Sequence, residues 1–426
     1  MTSTEKTILQ LIENLPPRWS LCRNDALYVE RSEFCDNNES IDNLLSVSEY
    51  YGVDYRKNKV SDEIISRAES LEGYRRCHKG DLVMNYMLAW KGAQATSLYD
   101  GVVSPSYAVF RPFGPIEPMF AHYLYRTSLY CGLFETNSTG IMRSRLRLYP
   151  KSFLKLYSIL PPVNEQRQIV AFLDRKCSAI DTAIEKTKES IEKLEEYKKA
   201  VITKAVTKGL DPGAKMKNSG VEWIGEVPES WDVVKTKYLF RILKRIAGKE
   251  GYDVISITQG GLKIKDIKSN EGQLAENYSN YQFVFPGDFA MNHMDLLTGW
   301  VDLSVLSGVT SPDYRVFRRI KDSTNNDYYK YLFQSLYFNK IYYGKAQGVA
   351  EVGRKRLQAP VFKEIKLPYP PAEEQTKIAK YIQVKCFSID ALITKKQEAI
   401  SKWEEYKKSL IYYAVTGKID CRNEAV

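Results

Sequence analysis

One stretch of 47 residues occurs twice in the chain and limits the folds that the chain can adopt. Residues 161–207 read PPVNEQRQIVAFLDRKCSAIDTAIEKTKESIEKLEEYKKAVITKAVT, and residues 370–416 read PPAEEQTKIAKYIQVKCFSIDALITKKQEAISKWEEYKKSLIYYAVT. The copies align without a gap at an offset of 209, and 23 of the 47 positions are identical. Identity over this length indicates an internal duplication.

Each copy has the residue spacing of one long helix. In the first copy, apolar or small residues recur at steps of three and four, from Leu173 and Cys177 to Ala205. This heptad spacing predicts a coiled coil, whose apolar stripe needs a partner helix. The second copy carries the same stripe from Ile382 to Ala414. An ordinary helical hairpin or a homodimer would also satisfy one such stripe.

Because the chain already holds two matching stripes, we expect the two helices to pair with each other. Antiparallel pairing is favoured, since it makes the two halves of the chain equivalent about a pseudo-twofold axis. Proline pairs precede both helices, and Gly209 and Gly417 follow the last apolar positions, as is typical of helix ends.

Shorter motifs extend the duplication beyond the helices. The matching pairs are LPPRW (15–19) with VPESW (227–231), GDLVMNYM (80–87) with GDFAMNHM (287–294), and GVVSPSYAVFR (101–111) with GVTSPDYRVFR (308–318). Alternating runs next to Gly and Ser-Pro turns predict strands, and FAHYLYRTSLY and YYKYLFQSLYF have helical spacing. Each half therefore combines a mixed α and β unit with one long helix.

The sequence thus predicts an α+β chain in which two mixed α/β units are separated by a long antiparallel two-helix coiled coil. A short amphipathic helix is also expected within residues 1–14. The predicted segments are a first unit at 1–160, a long helix at 161–208, a linker at 209–226, a second unit at 227–369, a second long helix at 370–417 and a tail at 418–426.

Composition narrows the class of partner. Lys and Arg number 62 against 52 Asp and Glu, a net charge of +10 that suits a polyanion. Seven cysteines form no CxxC pair, and only three histidines are present, so zinc-ligand spacing is absent. No run of 18 apolar residues occurs, and the N-terminal segment lacks the pattern of a signal peptide. We expect a cytoplasmic protein without a membrane segment.

No catalytic motif stands out. The chain has no GxxxxGK[ST] loop for a nucleotide, and none of its Pro-Pro pairs is followed by the aromatic residue of an adenine methyltransferase motif. Pro312-Asp313 resembles part of a nuclease motif, but Asp313 aligns with Ser106 in a repeated turn. We expect no catalytic residue and no metal site in this chain.

Nucleic-acid binding has better support. A basic segment after a Gly-containing loop lies near the end of each unit, and Arg there can grip phosphate or guanine with two hydrogen bonds. Between the shared motifs lie two dissimilar loops, at 88–100 and 295–307. Solvated basic loops and neutral drift of surface loops would look the same. The candidate DNA contacts are Lys91, Gln94, Thr96, Arg143, Arg145, Arg147, Asn292, His293, Thr298, Arg354, Lys355 and Arg356.

Several of these motifs together resemble one family, the specificity (S) subunits of type I restriction-modification systems. They are PP-x-x-EQ before each long helix, the KxxxIxxxI spacing, EEYKK, and the phrase MKNSGVEWIGEVPESW before the second unit. The resemblance covers residues 15–417. The first half departs from it, because WIGE has no counterpart before LPPRW.

The resemblance implies two target recognition domains, each reading one half of a bipartite, asymmetric site on double-stranded DNA in a phage-defence system. It implies no catalysis and no cofactor in this chain. Two modification (methyltransferase) subunits and the restriction (translocase/endonuclease) subunits would use S-adenosylmethionine, ATP and magnesium. The shared helix motifs give candidate subunit contacts, which are Glu165, Gln166, Tyr197, Glu374, Gln375 and Tyr406.

Two other functional classes remain open at this point. A coiled-coil scaffold could join proteins without reading DNA, and a degenerate DNA methyltransferase could retain weak activity of its own. The sequence does not give the recognised bases or the spacer between the half-sites.

Overall fold

A computed structural model describes residues 15–35, 40–59, 71–266, 277–346 and 355–421. The amphipathic helix expected within residues 1–14 lies outside these ranges, as does Arg354. Contacts divide the chain into two compact units. Unit one takes the described residues of 1–187 and 398–421, and unit two takes those of 188–397.

The described residues form helices of very different lengths. The α-helices are α1 (Pro118–Tyr125), α2 (Ser128–Thr136), α3 (Pro150–Lys155), α4 (Val163–Lys208), α5 (Asn326–Phe338), α6 (Ile341–Lys345), α7 (Ala359–Glu364) and α8 (Ala372–Val415). The two long helices predicted from the duplication are confirmed as α4, with 46 residues, and α8, with 44. At 1.5 Å per residue, each is roughly 65–70 Å long.

The strands are short and fall into two similar series. In the first half they are β1 (Ser20–Arg23), β2 (Tyr28–Glu30), β3 (Leu45–Ser48), β4 (Gly52–Tyr55), β5 (Arg75–Cys77), β6 (Leu82–Asn85), β7 (Gln94–Thr96), β8 (Gly101–Val103), β9 (Tyr107–Pro112) and β10 (Tyr157–Leu160). In the second half they are β11 (Met216–Asn218), β12 (Glu226–Pro228), β13 (Asp232–Lys235), β14 (Phe240–Leu243), β15 (Ile255–Thr258), β16 (Gly261–Ile264), β17 (Gln282–Val284), β18 (Phe289–Met291), β19 (Val301–Leu303), β20 (Gly308–Thr310), β21 (Arg315–Arg319) and β22 (Lys366–Tyr369).

The two series have the same sheet topology. A four-stranded antiparallel sheet has the order β2-β9-β6-β7 in unit one and β14-β21-β18-β19 in unit two. Even the register is repeated, because Leu82 lies opposite Phe110 and, 207 residues later, Phe289 lies opposite Phe317. The pair β11-β12 belongs to the phrase MKNSGVEWIGEVPESW, part of which lacks a counterpart in the first half.

The GD pair of the repeated GDxxMNxM motif builds a turn before the central strand. In unit one, Gly80 has a positive φ of 94°, which glycine adopts without strain. The next residue, Asp81, is buried and accepts a hydrogen bond from the His78 N–H at 2.8 Å. Its carboxylate also binds the Arg31 guanidinium with two hydrogen bonds, at 2.9 and 3.1 Å. A buried carboxylate needs such a partner, because desolvation of an unpaired charge costs several kcal/mol.

Unit two repeats the turn with a second arginine. Gly287 has a φ of 84°, and the buried Asp288 accepts from the Phe285 N–H at 2.9 Å. Asp288 pairs with Arg245 and, at 2.6 Å, with Arg318. The motif therefore encodes a scaffold that both units share.

Each unit has an aromatic core that continues into the long helices. In unit one, Tyr28 and Phe110 pack with Phe153, and Ile169 and Leu173 of α4 belong to the same buried cluster. Full burial of side chains of this size contributes about 1.5–3 kcal/mol each. In unit two, Phe240, Phe289, Phe317 and Phe333 form edge-to-face and stacked pairs, and Ile378 and Ile382 of α8 join them.

The long helices pair within each unit. In unit two, Lys198 on α4 binds Asp390 on α8 at 2.7 Å, and Gly209 just after α4 lies against Glu374 at the start of α8. The direction is therefore antiparallel, as the sequence predicted. Lys198 lies on the seam among apolar and small residues, and the Asp390 carboxylate supplies the counter-charge that this position needs.

Unit one shows the same pairing with the partners exchanged. Lys407 on α8 binds Asp181 on α4 at 2.6 Å, and Gly417 after α8 lies against Pro16 and Trp19. Trp19 precedes β1, whose partner β10 leads directly into α4, so the end of α8 lies at the start of α4. Shifting Asp181 and Lys198 by 209 residues gives Asp390 and Lys407, so one contact occurs twice.

One residue of the predicted apolar stripe is exposed instead of buried. Trp403 is 40% exposed, whereas Leu410 and Ala414 on the same helix are buried. A large indole at a helix seam can lie partly outside it, with its edge in water. Among the described residues, the helices are either too short or too polar to cross a membrane.

Candidate nucleic-acid interface

The loop that follows β6 in unit one carries the first group of candidate DNA contacts. Lys91 is exposed, with its ammonium 5.2 Å from the centre of the Trp90 ring. Gln94 and Thr96 are not exposed, because both lie on β7 inside the domain. The Gln94 amide donates to the Tyr125 carbonyl at 2.6 Å, and the Thr96 hydroxyl donates to the Pro118 carbonyl at 2.5 Å.

The prediction of base contacts is therefore wrong for Gln94 and Thr96. Their side chains tie β7 to α1, and a base edge has no access to them. Polar residues on a short strand can satisfy buried carbonyls as well as read DNA, and the sequence pattern did not separate these roles.

The basic segment of unit one lies at the surface. Arg143, Arg145 and Arg147 are all exposed, and a single helical turn spans Arg143–Arg145. Arg143 pairs with Glu135 at 2.8 Å, and its guanidinium carbon lies 5.2 Å from the centre of the Trp90 ring. Arg145 and Arg147 have no ion-pair partner among the described residues, so their charges face solvent.

The equivalent region of unit two is held by turns. Asn292, like Asn85 in unit one, uses its side-chain oxygen to accept backbone N–H groups, here from Met294 and Asp295 at 3.2 Å. This oxygen serves the scaffold and is not free to read a base. Thr298 is exposed, and its hydroxyl donates to the Asp295 carboxylate.

His293 is half-buried beside the basic segment of unit two. Burial, together with the smaller effect of the positive charges of Arg315 and Arg356, lowers its pKa to about 4. The imidazole is therefore neutral at pH 7. Arg356 is exposed, and the Lys355 ammonium lies 4.4 Å from the centre of the Tyr343 ring. Arg315 was not singled out from the sequence, because it lies inside a strand motif that otherwise looks structural.

The candidate subunit contacts divide into two kinds. Gln166 is fully buried, its side-chain oxygen accepts from the Glu117 N–H at 2.7 Å, and its amide donates to the Pro115 and Pro161 carbonyls at 2.9 and 2.8 Å. A side chain with these three partners inside its own domain is not available to another protein.

Gln375 makes the same three contacts 209 residues later. It accepts from the Asn325 N–H at 2.8 Å and donates to the Ser323 and Pro370 carbonyls at 3.1 and 2.8 Å. The prediction that Gln166 and Gln375 contact other subunits is therefore wrong. Each glutamine fastens the first turn of a long helix to the loop before a domain helix.

Glu374 is also engaged, because the Trp231 indole N–H donates to its carboxylate at 2.8 Å. Glu165 is partly exposed at the start of α4. Tyr197 and Tyr406 occupy equivalent places in the two EEYKK runs and are 53% and 50% exposed. Their rings are thus free to contact another protein. Among the described residues, His, Cys, Asp and Glu side chains nowhere gather in threes to hold a metal ion.

Comparison with known proteins agrees with this geometry. The sequence model of the type I restriction modification DNA specificity domain matches residues 228–402. The type I restriction enzyme MjaVIII specificity subunit of Methanocaldococcus jannaschii is 28% identical over 359 residues, which cover 79% of each chain. The chain thus resembles type I restriction specificity subunits along most of its length.

Other similar proteins also cover most of the chain. The putative MjaX specificity subunit of the same organism is 25% identical over 368 residues, which are 80% of this chain and 78% of the relative. A chain solved in work on complex assembly and conformational transition of the type I R-M system covers 95% of this chain and 99% of its own, with a TM-score of 0.67 and 16% identity.

A second solved relative is the HsdS subunit from Thermoanaerobacter tengcongensis, with a TM-score of 0.52, 18% identity, and coverage of 95% of this chain and 98% of its own. At these identities the two solved structures show that the chain shares their fold.

The glutamine contacts give a direct stability prediction. Gln375→Leu leaves an amide hydrogen and two carbonyls without their partner, so it should lower the free energy of unfolding of unit two by about 1 to 3 kcal/mol. Denaturant titration of the full chain measures this. Gln383→Leu, an exposed position on the same helix, should change stability little. Unchanged stability of Gln375→Leu would contradict the role of Gln375 in fastening the first turn of α8 to its domain.

Proposed function

We propose that this chain is the DNA-reading subunit of a type I restriction-modification complex, in which each unit reads one half of a bipartite, asymmetric site. The observation that carries the proposal is the duplicated scaffold. The two units share topology, strand register and a buried aspartate turn, while the loops between the shared motifs differ. Two readers of different base sequences need this combination.

The exposed basic residues are the proposed DNA contacts. In unit one they are Lys91 and the three arginines at 143, 145 and 147, and in unit two Arg356 is exposed and is joined by the partly exposed Lys355. His293 and Thr298 are proposed to lie beside the second contact surface. The net charge of +10 supports attraction to the duplex as a whole, while individual guanidinium groups supply base discrimination.

Catalysis is assigned to partner subunits in this proposal. Two modification subunits would bind S-adenosylmethionine and methylate one adenine in each half-site, and restriction subunits would use ATP and magnesium. Base methylation requires the target to leave the stack, which the modification subunit would perform. The exposed Tyr197 and Tyr406, repeated at equivalent positions, support two equivalent contact sites for a partner present twice.

A reconstitution experiment tests the assignment of roles. Purified chain with labelled S-adenosylmethionine and DNA should transfer no methyl group, and addition of the modification subunit should restore transfer. Binding of DNA should weaken steeply with salt, because phosphate contacts release counterions. Methyl transfer by the chain alone, or DNA binding insensitive to salt, would reject the proposal.

Arg145 tests base reading in the first half-site. Arg145→Ala should reduce affinity by about 1 to 3 kcal/mol and relax preference at one base pair, because a bidentate contact to guanine is lost. Binding to a panel of single-base variants measures this, and variants in the second half-site serve as the internal control. An equal loss on every sequence would instead make Arg145 a phosphate contact.

The paired helices are proposed to set the spacer between the half-sites. Inserting one heptad into both α4 and α8 keeps the apolar stripe in phase and lengthens each helix by about 10 Å. Methylome sequencing should then show the same two half-sites with a longer spacer. An unchanged spacer would contradict this role of the helices.

A further inference from the structure

An arginine is buried in the second unit where the first unit has alanine. Arg315 opens β21, and at the same place in the repeated motif, 207 residues earlier, stands Ala108 on β9. Arg315 is only 5% exposed, and Ala108 is 1% exposed. The shared strand thus carries a charged group into the interior of one unit only.

This buried charge has no acidic partner among the described residues. Its Nη2 donates to the Leu357 carbonyl at 2.7 Å, and the guanidinium carbon lies 4.8 Å from the centre of the Phe362 ring. Its Nη1 is buried without a hydrogen-bond partner. Burial lowers the pKa of Arg315 to about 10, so the group stays charged at pH 7. By contrast, Arg245 in the same unit has the Asp288 carboxylate.

The surroundings of Arg315 add positive charge. Leu357, whose carbonyl binds Arg315, donates its own N–H to the His293 carbonyl at 3.0 Å. The preceding residue is the exposed Arg356. Within the described part of the chain, Nδ1 of His293 is also buried without a partner, and the carboxylate that favours its protonated form belongs to the exposed Asp313. Two cations and a neutral imidazole therefore surround one backbone segment.

The backbone at Leu357 does not need a buried arginine in order to fold. In unit one, Leu148 donates its N–H to the Tyr86 carbonyl at 2.8 Å, which is the same backbone tie made by Leu357 and His293. That tie forms with Ala108 in place of the arginine. An unpaired buried charge costs several kcal/mol, and no described carboxylate pairs with this one, so its presence in unit two favours a ligand that compensates it.

We propose that Arg315, His293 and Arg356 form an oxyanion site in unit two that takes one phosphate of the DNA backbone. Arg356 contacts the phosphate at the surface. Arg315 is a positioning residue, which holds the carbonyl next to Arg356 and supplies a second positive charge from beneath. The inference rests on the proposed function of unit two in binding DNA and deepens it by naming a phosphate contact that the first unit lacks.

Opposite effects on stability and affinity test the site. Arg315→Met keeps an apolar chain against Phe362 and removes the charge, so the free protein should be as stable as wild type or more stable. DNA affinity should fall about tenfold, and the slope of log affinity against log salt should decrease by about one. Arg319→Met, on the same strand and also bonded to a carbonyl, is the matched control and should leave both unchanged.

The pKa of the His293 imidazole is a second test of the site. It should not change on DNA binding if Arg315 and His293 have only a structural role. An adjacent oxyanion favours the protonated imidazole, so its pKa should rise from about 4 when DNA binds. NMR titration of the histidine ring protons, with and without duplex DNA, measures this. Inorganic phosphate is the parallel probe, and an equal rise with millimolar phosphate alone would show a general anion site in place of a DNA-specific one.

Three outcomes would overturn the inference. Lower stability of Arg315→Met with unchanged DNA affinity would make the arginine structural. Glu351 lies outside the described residues. If Glu351→Gln lowered stability as much as Arg315→Met does, and the variant with both changes were no less stable than either alone, Glu351 would be the counter-charge of Arg315. Wild-type chain that binds no DNA would remove the proposed function and this site together.

Discussion

The pairing of α4 with α8 is the constraint on which the other features depend. A helix of 46 residues with an apolar stripe along one side exposes too much apolar surface to be stable alone. Asp181 with Lys407 in unit one, and Lys198 with Asp390 in unit two, fix the antiparallel direction by one contact used twice. Each such pair is half exposed and adds little stability, so the charges select register while the apolar residues supply the free energy.

The long helices are parts of the domains as well as of the coiled coil. Leu173 of α4 and Ile382 of α8 belong to the aromatic cores of their units. Gln166 and Gln375 then fasten the first turns, each with three hydrogen bonds to the domain. Movement of a helix start relative to its own domain would break these contacts and open a core. A domain attached in this way keeps its orientation on its helix.

Duplication explains both what the units share and where they differ. The turns built by Asp81 and Asp288 preserve the sheet, so the loops after β6 and β18 can change without loss of the fold. Arg315 extends this divergence into the interior, since the first unit has Ala108 at the same register. A buried charge such as that of Arg315 lowers the stability of the folded protein, and residues of this kind are found most often at functional sites.

Periodicity and repetition alone predicted the α+β class and the two long helices, and they favoured antiparallel pairing, because a heptad stripe needs a partner helix and the chain contains a matching one. The contacts of Lys198 with Asp390 and of Lys407 with Asp181 in the tertiary structure then fixed the partner and the direction. The tertiary structure decided the roles of single polar residues. Gln94 and Thr96 looked like base readers, and Gln166 and Gln375 looked like subunit contacts, yet all four are buried against carbonyls of their own domain. A polar side chain has the same hydrogen-bonding groups in either setting, so only the position of its neighbours in space determines whether it binds the domain or a ligand.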